Sequence, residues 1–177
     1  MNVEARAAGQ SHDVAAIARA LAILPDVLTL FESSPLHFLH PVHILFDRVM
    51  PSLLNGQHRL LREGDTPVAF VNWAWLSPAV GEQFGGGRYQ LRRDQWACGP
   101  DLWFCEIVAR DGRMGRLIES LDGDPIGPGV RARWLRVGPS GDIHGVGEFR
   151  TRRGREQRRW NIAEAGFVAA GPESGAS

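Results

Sequence analysis

Two segments offer side chains that could do chemistry together. One is Glu32-Ser-Ser-Pro-Leu-His37, which ends on an imidazole; the other is Asp101-Leu-Trp-Phe-Cys-Glu106, which ends on a carboxylate. A histidine titrates near neutral pH, and a carboxylate beside it orients the ring and stabilises its charged form. Such a pair is what general-base chemistry on an amine or a hydroxyl requires. Glu106 is the stronger clue, because it lies inside an apolar stretch and buried carboxylates are rare unless paired. Read alone, His37 also suits a structural role. Ser34, just ahead of Pro35, suits a turn or a helix cap.

The elements that must hold these residues follow from periodicity. Residues 13–32 carry Val14, Ile17, Leu21, Leu24, Val27, Leu28 and Phe31 at helical spacing, interrupted by Pro25. Pro41 suits the first turn of a second helix that ends at Asn55-Gly56. His58–Arg62 and Pro67–Trp75 read as strands joined by the turn Glu63-Gly-Asp-Thr66, and Ser77-Pro78 opens a short helix. Leu102–Val108 reads as a buried strand followed by a helix over Gly112–Leu121. Val130–Val137 and Val146–Arg150 form a hairpin through Pro139-Ser-Gly-Asp142. This order implies α/β (α+β) architecture, with helices packed on a central, mostly antiparallel sheet. The reading is one domain over 13–150, with 1–12 and 151–177 as flexible termini.

Composition narrows the classes. The chain has 177 residues, is 44% hydrophobic and carries zero net charge, so a packed core is expected and no global field points at nucleic acid. Apolar runs fall short of the roughly 18 residues that span a bilayer, so no membrane span is expected. The N-terminus lacks a secretory pattern, and Cys98 and Cys105 are too few for a disulfide framework; both facts suit a cytoplasmic location. All 20 basic residues are arginine. Six of them crowd residues 150–159, a run that reads either as a solvated tail or as a holder of an acidic partner. His37, His40, His43, His58, Cys98 and Cys105 invite a metal reading, but no metal-binding spacing motif is present and none is assigned. Trp73, Trp75, Trp96, Trp103 and Trp134 read as core, or as the lining of an apolar channel.

Several motifs occur together and in order: Ser34-Pro-Leu-His37, Pro41-Val42, Pro67-Val-Ala-Phe70, Trp73-Ala-Trp-Leu-Ser77, Trp96, Gly99, Trp103-Phe104 and Glu148-Phe149. Over roughly residues 20–150 the chain resembles the RTX toxin-activating lysine acyltransferases, the hemolysin-activating type. The resemblance implies a GNAT-like acyltransferase fold. It also implies transfer of a fatty acyl chain from acyl carrier protein to internal lysines of an RTX protoxin, in the cytosol, by a homodimer. No tightly bound cofactor is implied, since the phosphopantetheine thioester arrives as a substrate. His37 takes the base role, Glu106 stands where the family has an aspartate, and Ser34 is a hydrogen-bonding neighbour. The loop after the strand departs from the family pattern. Its Arg110, Gly112 and Arg113 loosely resemble a phosphate cradle and are the candidates to meet a carrier phosphopantetheine. These departures leave a second reading open, a non-catalytic member that binds protoxin or carrier.

Overall fold

A computed structural model describes residues 14–151 except 88, 122–125, 128 and 139–140. The terminal segments, most of the arginine run and part of the expected hairpin turn therefore lie outside the described residues. Helix α1 (Val14–Glu32) is followed by the single turn α2 (Pro35–Phe38), a π-turn (Leu45–Val49) and α3 (Met50–Leu54). Then come β1 (His58–Glu63), β2 (Thr66–Leu76), α4 (Pro78–Gly85), a 3₁₀ turn (Arg93–Gln95) and β3 (Asp101–Ala109). The chain continues through α5 (Met114–Glu119), β4 (Arg131–Val137) and β5 (Ile143–Arg150). The sheet order is β1-β2-β3-β4-β5; β3 and β4 run parallel and the other neighbours antiparallel. The expected mixed architecture is observed, and a GNAT-like arrangement is consistent with it.

Side-chain alternation sorts the sheet into two faces. Odd positions of β2, Ala69, Val71 and Trp73, pack with Leu102, Phe104, Ala132 and Trp134 against Leu117, Ile118 and Leu121 at α5. The even face is covered in two halves. Phe70 meets Val27, Leu30 and Phe31 of α1 and Val49 and Leu53 of the following helical segment. Ala74 and Leu76 meet Phe84 of α4, Trp96 and Trp103. Trp73, Trp96, Trp103 and Trp134 are thus core side chains; burying each removes a large apolar area from water.

Three sequence expectations change in detail. Helix α1 runs unbroken through Pro25. It is also 19 residues long with a mean hydropathy of 1.9, long and apolar enough by composition to cross a bilayer. That corrects the expectation that no run qualifies, although here its buried stripe packs on the sheet. The second helix is widened: Pro51 has no N–H to give, and the Met50 N–H reaches back five residues to the Leu45 carbonyl.

Gly99 shows how tightly the segment after the 3₁₀ turn lies against β2, since Cys98 and Gly99 both donate to the Trp75 carbonyl, at 2.8 and 3.1 Å. A Cβ at Gly99 would overlap the backbone of Leu76 and Ser77. Gly99→Ala should therefore cost ~1–3 kcal/mol, read as a lower urea midpoint at unchanged slope. An unchanged midpoint would show that the backbone there yields freely.

Candidate active site

The site forms where α2, the π-turn and β3 converge. Ser34 adopts an extended conformation and Pro35 presets the first helical position, so α2 starts sharply and turns His37 inward. His37 is buried, with its ring 4.6 Å from that of Phe31. Its Nδ1 lies 2.7 Å from Ser34 Oγ. Its Nε2 lies 3.4 Å from Glu106 Oε2.

Strict alternation along β3 would put Glu106 beside Leu102 and Phe104, facing α5. A β-bulge prevents this. Phe104 pairs with Trp73 and Glu106 with Asn72, so Cys105 is an extra residue and the face switches after it. Val108 accordingly packs with the α1 cluster and not with Phe104. Buried Asn72 holds the arrangement. Its Oδ1 accepts the Glu106 N–H at 2.8 Å, and its Nδ2 donates to the Arg48 carbonyl at 2.7 Å and to Ser52 Oγ at 2.9 Å.

Glu106 is shared by three partners. Arg48 Nη1 donates to Oε1 at 3.2 Å, while His40 Nε2 lies 3.7 Å from Oε2, the same oxygen that faces His37. Burial on its own would raise the pKa of this carboxyl. The contacts from His37 and His40 and the nearby charge of Arg48 outweigh that and hold it well below the usual carboxylate range. The residue is therefore an anion. The adjacent Cys105 thiol is pushed far up, first by burial and then by the Glu106 charge, which favours the neutral thiol.

His37, Glu106 and Ser34, singled out from the sequence, are thus brought together. His40 had entered only as a metal candidate, yet it sits on the same carboxylate. Arg48 carried no sequence signal. Asn72 did carry one, an amide inside the apolar run Val68–Trp75, where a buried polar group must be satisfied. Arg110 and Arg113 follow β3 directly, and Gly112 takes a positive φ of 68° in the turn. Arg113 is paired to Glu63 at 2.8 Å, and Arg116 pairs with the same carboxylate. Of the other metal candidates, His43 and Cys98 are exposed, His58 lies on β1, and Cys105 belongs to the bulge.

Comparison with known proteins assigns the sequence to one class. The family model described as the RTX toxin acyltransferase family matches residues 17–148, and the chain belongs to that family. It is 32% identical over 133 residues to the protein-lysine myristoyltransferase HlyC of Escherichia coli, covering 75% of this chain and 77% of that one. It is 31% identical over 136 residues to the protein-lysine palmitoyltransferase CyaC of Bordetella bronchiseptica, covering 74% and 71%. It is 29% identical over 127 residues to the RTX-I toxin-activating lysine-acyltransferase ApxIC of Actinobacillus pleuropneumoniae, covering 72% and 73%.

The amide clamp yields a direct test. Asn72→Leu would leave the Glu106 N–H and the Arg48 carbonyl without this partner, and each buried orphan costs ~1–3 kcal/mol. Denaturant unfolding should show a loss of at least ~2 kcal/mol. A loss below ~0.5 kcal/mol would mean the bulge and the π-turn hold without the amide.

Proposed function

We propose that this chain is a protein-lysine fatty acyltransferase, its domain spanning residues 13–150, that moves an acyl group from acyl carrier protein to internal lysines of an RTX protoxin. The observation that carries the reading is the buried His37 ring held between Ser34 Oγ at Nδ1 and the Glu106 carboxylate at Nε2.

A lysine side chain at neutral pH is an ammonium and must lose a proton before it can attack a thioester. The carboxylate at Nε2 favours the tautomer with its proton on that nitrogen, leaving Nδ1 as the accepting lone pair beside Ser34. His37 then takes the proton at Nδ1, and Glu106 stabilises the imidazolium through a contact that tightens as charge develops. The freed amine attacks the thioester carbonyl, a C–N bond forms and the C–S bond breaks; the second proton shed by the attacking nitrogen passes to the departing thiolate, leaving a neutral amide and a free thiol. His37 is the proton acceptor, and Glu106, Ser34 and Arg48 position it.

Surface features support the substrates. Phe38, Leu39, Val42 and Phe46 adjoin His37 and His40 in sequence and are 56–80% exposed, an apolar fringe suited to a fatty chain. Arg110, at the turn after β3, is the cation offered to the phosphopantetheine of an acidic carrier, with Gly112 giving the turn its shape. Arg113 would join it only by sharing its bond to Glu63. The exposed Val14, Leu21 and Leu28 of α1 favour pairing of two copies as a homodimer. A cytosolic location is part of this reading.

The test is mass spectrometry of a lysine-bearing RTX fragment incubated with acyl carrier protein and this chain. His37→Ala should reduce transfer ~10²–10⁴-fold while the fold is kept. Glu106→Gln should also impair it, because a neutral amide cannot stabilise the imidazolium. Glu106→Asp draws the carboxylate back from His37, and a misplacement of ~1 Å costs on the order of 10²-fold. Transfer unaffected by His37→Ala would remove the mechanism. Partner binding without any transfer would favour a binding module.

A further inference from the structure

We propose that His37 Nε2, His40 Nε2 and Glu106 Oε2 form a binding site for a divalent transition-metal ion of the zinc class, and that the bound ion switches acyl transfer off. All three donor atoms lie within 4.8 Å of one another. The Glu106 oxygen is 3.4 Å from one imidazole nitrogen and 3.7 Å from the other. Charge-assisted hydrogen bonds run shorter, at ~2.7–2.9 Å. A tetrahedral ion with bonds of ~2.1 Å instead needs its donors ~3.3–3.5 Å apart. The two carboxylate–imidazole pairs are thus close to one edge of such a tetrahedron.

The surroundings agree. Two imidazoles and one carboxylate form a three-donor set that suits zinc with one position left open. Glu106 presents Oε2 to the imidazoles because Arg48 occupies Oε1. A metal-bound histidine normally donates its other ring N–H to an acceptor, and Ser34 Oγ is in place 2.7 Å from His37 Nδ1. His40, the more exposed of the two imidazoles, opens the site toward solvent, with its side chain 21% accessible.

The inhibitory half of the proposal rests on the acyltransfer reading above and follows from the tautomers. For catalysis His37 must keep its proton on Nε2 and its lone pair on Nδ1. For ligation it must do the reverse, with Nε2 on the metal and Nδ1–H donated to Ser34. One ring cannot do both, so metal-bound protein has no proton acceptor. His40 accepts no proton in the transfer step yet supplies a ligand.

Binding is measured apart from activity. Chelator-treated protein is titrated with Zn²⁺ by calorimetry and with Co²⁺ by visible absorption, in the absence of toxin fragment and acyl donor. One saturable site is expected, with d–d bands and no thiolate charge-transfer band. Affinity should fall more than tenfold in His40→Ala and in Glu106→Gln, and roughly tenfold in Ser34→Ala as a hydrogen-bonding partner is lost. Arg48→Met should tighten binding by removing a competing cation, and Cys98→Ser should leave it unchanged. Circular dichroism checks each variant's fold; if one unfolds, Arg48→Met and Cys98→Ser still decide the question. Absence of saturable binding, affinity unchanged in folded His40→Ala, a thiolate band, or weaker binding in Arg48→Met would overturn the site. In the transfer assay, Zn²⁺ should inhibit wild type and chelator should restore it, while His40→Ala should keep most of its own zinc-free rate at the same concentration. Saturable binding without inhibition would overturn the switch alone. Absence of transfer in chelator would instead count against the acyltransferase reading.

Discussion

The side-chain amide of Asn72 ties together two backbone irregularities that individually would be liabilities. The bulge at Cys105 presents the Glu106 N–H to the helical face of the sheet, and the π-turn presents the Arg48 carbonyl to the same place. An amide can donate and accept at once, so a single buried residue satisfies both. If the bulge were absent, Glu106 would face α5 and the site would have no carboxylate. If the π-turn were absent, the Arg48 carbonyl would not meet this amide. The geometry of the candidate site therefore depends on a polar contact made outside the His37–Glu106 pair.

That contact also explains why a buried anion is tolerated here. Removing a carboxylate from water is costly, and only partners with good geometry repay it. Glu106 has a guanidinium on one oxygen and two imidazoles on the other. The extra methylene of a glutamate relative to an aspartate carries the carboxylate further from β3, out to where three partners from separate segments can reach it. This favourable charge environment comes from the α2 turn and the π-turn, both packed on α1 through Phe31 and Val49. The apolar core and the charged site are for this reason one construction.

Helix α1 has two faces with different roles. Ala20, Val27, Leu30 and Phe31 seal the sheet, whereas Val14, Leu21 and Leu28 remain open to solvent. A helix this apolar on both faces is unusual for a surface element. Phe38 and Leu39, just after α2, are exposed as well.

Much was legible in the residues themselves. Periodicity set the element types and their order, because burying one face imposes a period of two on strands and of about 3.6 on helices. The family motifs, and the rarity of a carboxylate in an apolar strand, marked His37, Ser34 and Glu106. Helix α1 was less well read, since local composition cannot tell a core-packed apolar helix from a spanning one. What tertiary structure alone decided was the face on which Glu106 lies. A bulge shifts alternation by one residue and leaves no period to read, so residues two and four positions apart ceased to share a side. It also decided the company Glu106 keeps. Arg48 is 58 residues away in sequence, and His40 reaches the carboxylate only because the chain turns after α2. Those contacts depend on how separate elements dock, which is set by packing across the whole core and by no local pattern.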